Sequence, residues 1–314
     1  MARHVIIGAG PVGTTTAHLL ADQGHEVRLV SRRGLGPRRD GIVLVTADAA
    51  DSASLARTTT GAAAIFNCAN PPYHRWATDW PPIAASLLAT AEATGAVLVT
   101  TGNLYGYGPV DHPMRESDEL AARGTKGRVR AQMWWDALAA HEAGRARVTE
   151  ARASDFFGPH VTDAHLGERV VPRVLRGRTV SVIGNPDVAH SWTYLPDLAA
   201  TLVTLAADER AWGRPWHVPT NAPLTQRQAV AALARAASID RVKVKALPGM
   251  LLTAVGVVSP ALRELREVAY QFEQPFVLDS TVATATFGLT PTPYDQAFAA
   301  TIAWYRDEAA RQAA

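Results

Sequence analysis

Val5-Ile6-Ile7-Gly8-Ala9-Gly10-Pro11-Val12-Gly13-Thr14 is the stretch on which the reading of this chain turns. An apolar run of strand character stops at a glycine. Two more glycines follow at Gly-x-Gly-x-x-Gly spacing, and Thr14 to Gln23 reads as a helix through Ala17, Leu19, Leu20 and Ala21. Strand, tight turn and helix in that order are the setting in which such a turn binds a dinucleotide. Gly8 permits the turn, Gly10 lets the backbone approach a pyrophosphate, and Gly13 allows close packing of helix on strand. Pro11 and Val12 lie inside the same cradle, where the N–H groups at the helix start attract phosphate. A glycine-rich turn that binds nothing is the alternative, disfavoured because all three elements sit where the chemistry needs them.

Outward from this turn, strands and helices alternate. Glu26 to Val30 reads as a second strand, and Ser31-Arg32-Arg33-Gly34 follows where an adenosine ribose would lie. A carboxylate there binds the 2′-hydroxyl of NAD, whereas a small hydroxyl residue followed by arginine suits a 2′-phosphate. Ser31, Arg32 and Arg33 therefore point to NADP ahead of NAD, solvated loop charges being the alternative. Ile42 to Thr46 reads as a third strand. Beyond it Asp48, with Ala49 beside it, is placed to bond an adenine amino group, and Asp51 or Ser52 to cap the next helix. Ala63 to Ala69 is an apolar run, as expected of a strand buried on both faces of a parallel sheet. It ends in Ala69-Asn70-Pro71-Pro72-Tyr73, a loop at a strand's carboxyl end, where ligands bind in open α/β sheets. Trp80 to Thr94 is predicted as helix and Ala96 to Thr101 as strand. Arg123 to Ala143 is predicted as a long helix, with Met133 and Trp134 as packing residues, and Arg147 to Ala153 as another strand.

The chain has 314 residues, 47% hydrophobic and 19% charged, with a formal net charge of +2. That describes a globular protein rather than a disordered one, and the charge is too small to argue for nucleic acid. A single cysteine, Cys68, leaves no intrachain disulfide and no cysteine metal cluster, so a reducing cytoplasm is the expected compartment. The first residues run straight into a strand, and no signal peptide is expected. Ala246 to Leu262 carries no charge, but its glycines and prolines and its length favour a buried helix over a membrane span. His160, His165 and His190 show no metal-ligand spacing, and no metal is expected.

Further motifs resemble the extended short-chain dehydrogenase/reductases, the NAD-dependent epimerase/dehydratase family. Thr100-Thr101-Gly102-Asn103-Leu104-Tyr105-Gly106 is similar to the family's Ser-Ser-x-x-Val-Tyr-Gly. Arg152-Ala153-Ser154-Asp155-Phe156-Phe157-Gly158-Pro159 is similar to Arg-x-x-Asn-x-Tyr-Gly-Pro, and His190-Ser191-Trp192-Thr193-Tyr194-Leu195-Pro196-Asp197 to Arg-Asp-Phe-x-Tyr-Val-x-Asp. Phe287-Gly288-Leu289-Thr290-Pro291 and Trp304-Tyr305 resemble its closing segment. The resemblance implies an α/β fold: a Rossmann-type doubly wound parallel sheet with a smaller C-terminal substrate lobe. The division expected is 1–158 for the cofactor, with part of 185–215 returning to it, and 159–314 mainly for the substrate. It extends the cofactor set to Thr100, Ala153 and Ser154 and the substrate set to Tyr73, Asn103, Tyr105, Asp155, His160, His190 and Trp192. It also implies a homodimer through the long helix pair, around Thr90 and Gln132.

The family's chemistry uses Tyr-x-x-x-Lys on the long helix, with a nearby Ser/Thr holding the substrate oxygen. Thr101 matches that Ser/Thr. The helix here reads Gly124-Thr125-Lys126-Gly127-Arg128-Val129-Arg130-Ala131; Lys126 falls at the tyrosine and Arg130 at the lysine. Arg130 suits ribose hydroxyls but cannot release a proton. Lys126 is either an exposed lysine on a solvated helix start or, desolvated beside Arg130, a proton donor. Tyr105 and Tyr73 are the substitutes for proton transfer.

Three functions follow. The first is an NADP-dependent oxidoreductase acting on a carbonyl or hydroxyl of a small, partly hydrophobic substrate, with Thr101, Tyr105, Lys126 and Arg130 as its catalytic set. The second is a redox-silent NADP-binding sensor. The third is a sugar-nucleotide epimerase or dehydratase, demoted because His190 stands where the family's arginine meets the substrate diphosphate. Apolar residues between Ala246 and Phe276 (Met250, Leu251, Leu252, Val255, Val257, Val258, Tyr270, Phe272) are expected to roof the substrate pocket or to complete the smaller core.

Overall fold

A computed structural model describes residues 1–247 and 266–313. Most of the expected roof, from Met250 to Val258, lies outside the described residues. The glycine turn joins strand β1 (Arg3–Ile7) to helix α1 (Pro11–Asp22). The chain then runs through β2 (Glu26–Ser31), β3 (Ile42–Thr46), α2 (Ser52–Thr59), β4 (Ala64–Asn67), α3 (Trp76–Thr94), β5 (Val97–Asn103), α4 (Thr125–Glu142) and β6 (Val148–Ala153). These six strands and β11 (Pro215–His217) form one sheet in the order β11-β6-β5-β4-β1-β2-β3, and every pairing in it is parallel. The order reverses next to β1, as in a doubly wound fold.

Alternation along the strands builds two cores. On one face Ile6, Leu29, Phe66 and Val99 meet Leu20 of α1 and Leu198, Leu202 and Leu205 of α6 (Leu195–Ala207). On the other Val5, Ile7, Ile65 and Leu98 meet Leu87 and Ala91 of α3 and Trp134 of α4. A third core gathers Phe157, Val171, Val174, Trp192, Val230, Leu233, Phe298 and Ile302. Its helices include α7 (Gln226–Ala236), started by a Thr225–Gln228 capping box. The later chain also contributes β7 (Asp155–Phe157), which pairs with β10 (Trp192–Tyr194). No helix among the described residues is long and apolar enough to cross a membrane.

Two differences from the expected elements have local causes. Helix α3 begins at Trp76, ahead of Pro81 and Pro82, because a single 3-10 turn at Tyr73–Arg75 leads into it. Helix α1 starts at Pro11, whose fixed φ and missing N–H suit a first helical position. Asp51 caps α2 by accepting from the Ser54 N–H at 3.0 Å.

Beneath the sheet's carboxyl end lies a buried polar chain. Arg152 Nε donates to Glu150 Oε2 at 2.8 Å, and its Nη1 donates to the Tyr107 hydroxyl at 2.7 Å. Tyr107 lies 2.8 Å from His217 Nε2, and His217 Nδ1 lies 2.8 Å from the Asp279 carbonyl. The carbonyl can only accept, so Nδ1 carries the proton. Nε2 then accepts from Tyr107, which itself accepts from Arg152, so every proton in the chain has a fixed place.

On β1 the His4 imidazole is buried, its Nδ1 has no hydrogen-bond partner among the described residues, and burial together with His25 pushes its pKa down to about 4. The unfolded imidazole, near pH 6.5, takes up a proton that the folded one refuses. His4 therefore makes stability fall as pH drops from about 6.5 to about 4. Urea unfolding is expected to show a smaller loss between about pH 7 and about pH 5 for His4→Phe than for the unchanged chain.

Candidate functional site

The glycine turn has the shape of a phosphate cradle. Gly8 has φ +109°, and a Cβ there would stand 2.5 Å from the Cys68 carbonyl oxygen. A Cβ on Gly13 would stand 1.8 Å from the Gly8 carbonyl oxygen, whereas one on Gly10 would meet nothing within 4 Å. Open space therefore lies before the first turn of α1, which holds no acidic residue and no side-chain cap. Its orphan N–H groups suit an anion. Deeper in, the Ser154 hydroxyl is buried without a partner among the described residues while its N–H donates to Thr193 Oγ1. An open cradle and an orphan hydroxyl are what a bound dinucleotide would complete.

At the adenosine end, Ser31 Oγ is occupied within its own turn, donating to the Leu35 carbonyl and accepting from the Leu35 N–H. Arg32 and Arg33 are exposed and make no ion pair with any described residue. Asp48 Oδ1 accepts from the Ala50 N–H, and Asn67 Oδ1 from the Ala69 N–H. The Pro71 carbonyl accepts from the Trp76 indole at 3.0 Å, so Asn70-Pro71-Pro72 is tied to the start of α3.

Past the ends of β4 and β5 a second group assembles. The Tyr73 hydroxyl donates to the Tyr105 hydroxyl, and the Gln271 side chain meets the same Tyr105 oxygen. Asp155 Oδ2 lies 2.9 Å from His190 Nε2, and His190 Nδ1 lies 3.1 Å from the Gln271 carbonyl. Burial first, and the Asp155 charge next, pushes the Tyr105 hydroxyl well up; Tyr73 is raised by burial and by Tyr105. Both phenols therefore keep their protons at neutral pH. His190 is enclosed by Trp192, Phe272 and Phe276, with ring centroids 4.4, 5.1 and 5.3 Å away.

Two of the cations of α4, Lys126 and Arg130, are buried, whereas Arg128 is exposed. Gly127 makes this close approach workable, since a Cβ there would stand 2.5 Å from the Tyr105 carbonyl oxygen. Lys126 Nζ lies 3.3 Å from Glu267 Oε2, and its backbone N–H donates to Glu267 Oε1 at 2.6 Å. Arg130 is held between Trp76 and Trp80, 4.8 and 4.4 Å from their ring centroids. It donates from Nη1 to the Thr101 carbonyl at 3.2 Å, and burial lowers its pKa to about 10. Thr101 Oγ1 donates to Cys68 Sγ at 3.8 Å, a weak acceptor, and burial pushes that thiol up to about 12.

Tyr73, Tyr105, Asp155 and His190 are thus brought together, with Lys126, Arg130 and Thr101 at the edge of the group. Trp192 backs His190 and donates its indole N–H to the Leu224 carbonyl. Asn103 Oδ1 accepts from the Tyr105 N–H, fixing the turn that presents the phenol. His160 lies apart, its ring 5.1 Å from that of Trp304 and its φ at +66°. Thr100 faces the side of the sheet covered by α3 and α4, and Ala153 lies in the core with α1 and α6. Thr90 is buried, with its hydroxyl on the Ser86 carbonyl, whereas Gln132 is exposed. Sequence reasoning missed Glu267 and Gln271. No local pattern marks them: in the 3-10 segment Arg266–Phe272, with three residues per turn, positions four apart do not share a face.

The same fold runs through known proteins. No curated protein matches the sequence. Solved structures share the fold at low identity. The epimerase Mth375 of Methanothermobacter thermautotrophicus matches with TM-score 0.82 and 14% identity over 99% of this chain and 94% of its own. The UDP-glucose 4-epimerase of Thermotoga maritima, solved with UDP-glucose, gives 0.79 and 16% over 98% and 99%. DesIV, the dTDP-glucose 4,6-dehydratase of Streptomyces venezuelae, solved with NAD and TYD bound, gives 0.77 and 20% over 98% of each chain. The model of the NAD dependent epimerase/dehydratase family matches residues 5–218, from the first strand of the sheet to just past its last. With the glycine cradle, the doubly wound sheet and that match in agreement, the chain belongs to the NAD dependent epimerase/dehydratase family.

Proposed function

We propose that the chain is an NADP-preferring oxidoreductase that reduces a carbonyl on a small, partly hydrophobic substrate. The supporting observation is the Tyr73–Tyr105 hydroxyl pair, two protonated phenols in contact at the carboxyl ends of the sheet strands. With its pyrophosphate held in the Gly8–Gly13 cradle, a nicotinamide dinucleotide would supply the hydride. Tyr105 donates its proton to the substrate oxygen, Tyr73, already donating to Tyr105, resupplies it, and solvent returns a proton to Tyr73. The Thr101 hydroxyl, spent only on a sulfur, orients that oxygen. Lys126 and Arg130, engaged by Glu267 and by two indoles, shape the site and give no proton. In this reading residues 1–158 hold the cofactor and 159–314 mainly the substrate.

Preference for NADP rests on Arg32 and Arg33, two exposed guanidiniums beyond β2 with no described carboxylate partner. Arg32→Ala is expected to weaken NADPH binding roughly tenfold and to leave NADH binding unchanged, read by fluorescence titration. Tyr105→Phe is expected to lower kcat for NADPH-dependent ketone reduction by about 10²-fold or more with NADPH affinity kept. NADPH binding without turnover over a broad panel of aldehydes and ketones would favour the redox-silent sensor instead.

Sugar-nucleotide epimerisation or dehydration is the second reading, and the ligands of the structural neighbours favour it. Against it, His190 is buried among aromatic rings and both its ring nitrogens are engaged, by the Gln271 carbonyl and by Asp155, so it has no free donor for a diphosphate. UDP-glucose binding comparable to that of the small ketones would reverse the order of the two.

A further inference from the structure

Gln271 reaches the Tyr73–Tyr105 pair from the 3-10 segment Arg266–Phe272 and is 3% exposed. Its main chain is pinned. The Gln271 carbonyl accepts from His190 Nδ1 at 3.1 Å, and the next carbonyl, of Phe272, accepts from the Asn185 N–H at 2.7 Å. The side-chain amide bonds the Tyr105 hydroxyl in the sense that favours the phenolate. Such a bond comes from a donor, and the amide's only donor is Nε2. The other arm, Oε1, is buried and has no hydrogen-bond partner among the described residues.

The hydrogens around Tyr105 give that orphan a meaning. The phenol oxygen accepts from Tyr73 and from Gln271 Nε2, so its own hydrogen is left for the substrate. Nε2 and Oε1 are two arms of one planar group. With Nε2 on the phenol, Oε1 stands beside the oxygen that takes the phenol's hydrogen, and a buried acceptor there calls for a donor on the adjoining atom. Asp155, whose charge already acts on Tyr105, disfavours an anion in the same place. A cation is not called for either, since His190 already meets Asp155 Oδ2 and Oε1 is a neutral amide oxygen. A hydroxyl answers it.

We propose, on the carbonyl-reductase reading of this site, that Gln271 Oε1 sets the substrate class, an α-hydroxy ketone or α-hydroxy aldehyde, by accepting from the hydroxyl next to the reacting carbonyl. The carbonyl carbon takes the hydride and its oxygen takes the Tyr105 proton, so the C=O double bond becomes a carbinol and the product is a vicinal diol. The dinucleotide is oxidised, and the second hydroxyl keeps its hydrogen throughout. An aryl group suits the rest of the substrate. The Trp76 ring lies 6.1 Å from that of Tyr105, and Phe272 and Phe276 stand around His190.

Calorimetric titration of the full chain in excess NADP⁺ with α-hydroxyacetophenone, α-methoxyacetophenone and propiophenone tests this. The methoxy ketone keeps the oxygen but cannot donate, and propiophenone puts a methyl there. The hydroxy ketone is expected to bind roughly tenfold more tightly than either. In Gln271→Met the three affinities are expected to fall within about twofold of one another; their ratio cancels any effect of the change common to all three. The comparison on the unchanged chain decides even if that variant does not fold. Equal binding of the three ketones, tighter binding of the methoxy ketone, no saturable binding of any, or a preference that survives in folded Gln271→Met overturns the proposal. NADPH oxidation with the same ketones is read separately. Absence of turnover with the hydroxy-ketone preference intact removes the reductase reading and leaves Gln271 as the group that selects the hydroxyl.

Discussion

Gly13→Ala is expected to abolish NADPH binding and to lower the unfolding free energy by about 3 kcal/mol. The added methyl would lie 1.8 Å from the Gly8 carbonyl oxygen and 3.2 Å from the Ile6 side chain. Helix α1 has to withdraw from β1, which opens a core face and displaces the N–H groups that meet the phosphates. Gly10→Ala separates the two effects. Its Cβ meets nothing within 4 Å and its φ of −77° is ordinary for alanine, so the stability change stays below about 1 kcal/mol. The methyl instead stands in the space kept for a pyrophosphate, and NADPH affinity should fall roughly 100-fold. Urea unfolding and NADPH fluorescence read the two quantities separately. Gly10→Ala binding NADPH as tightly as the unchanged chain would remove the glycine turn from the cofactor site.

Arg152→Met is the second large effect. It leaves the Glu150 carboxylate buried without its partner and takes from Tyr107 the bond that sets the direction of the proton chain to His217. Loss of one member of a buried ion pair costs about 3–5 kcal/mol. The paired change Glu150→Gln with Arg152→Met removes both charges and should recover more than half of that loss, because an amide is far easier to bury than an unpaired carboxylate. Urea unfolding of both variants at neutral pH gives the comparison, and a double variant no more stable than the single one would place the cost in packing around Trp134 rather than in charge.

Much of the fold was legible because it depends on short-range pattern. Alternating apolar residues and the Gly8–Gly13 turn each act within one or two elements and stand where the sequence placed them, and of the two caps expected, Asp51 and Ser52, the structure uses Asp51. Helix α3 was misjudged at its start because Pro71 and Pro72 read as the end of structure, whereas the chain needs only a 3-10 turn before Trp76. Lys126 and Arg130 were picked out, but their surroundings were not. Glu267, which pairs with Lys126, lies 141 residues away, and the indoles that clasp Arg130 come from a helix whose first turn was missed. Gln271 was illegible for the same reason, since nothing local to it announces that its carbonyl meets His190.

The place of β11 in the sheet sets an order of events during synthesis. Strand β6 is complete at Ala153, yet its outer neighbour arrives only with Pro215–His217, which pairs with Glu150, Ala151 and Arg152. Until that segment has left the ribosome, β6 is a bare edge with unpaired backbone groups, the kind of template that recruits other chains. Glu150 and Arg152 place two opposite charges on that edge, where they resist misplaced pairing while the nascent chain waits. A pair that the finished protein buries thus acts earlier as a guard against aggregation.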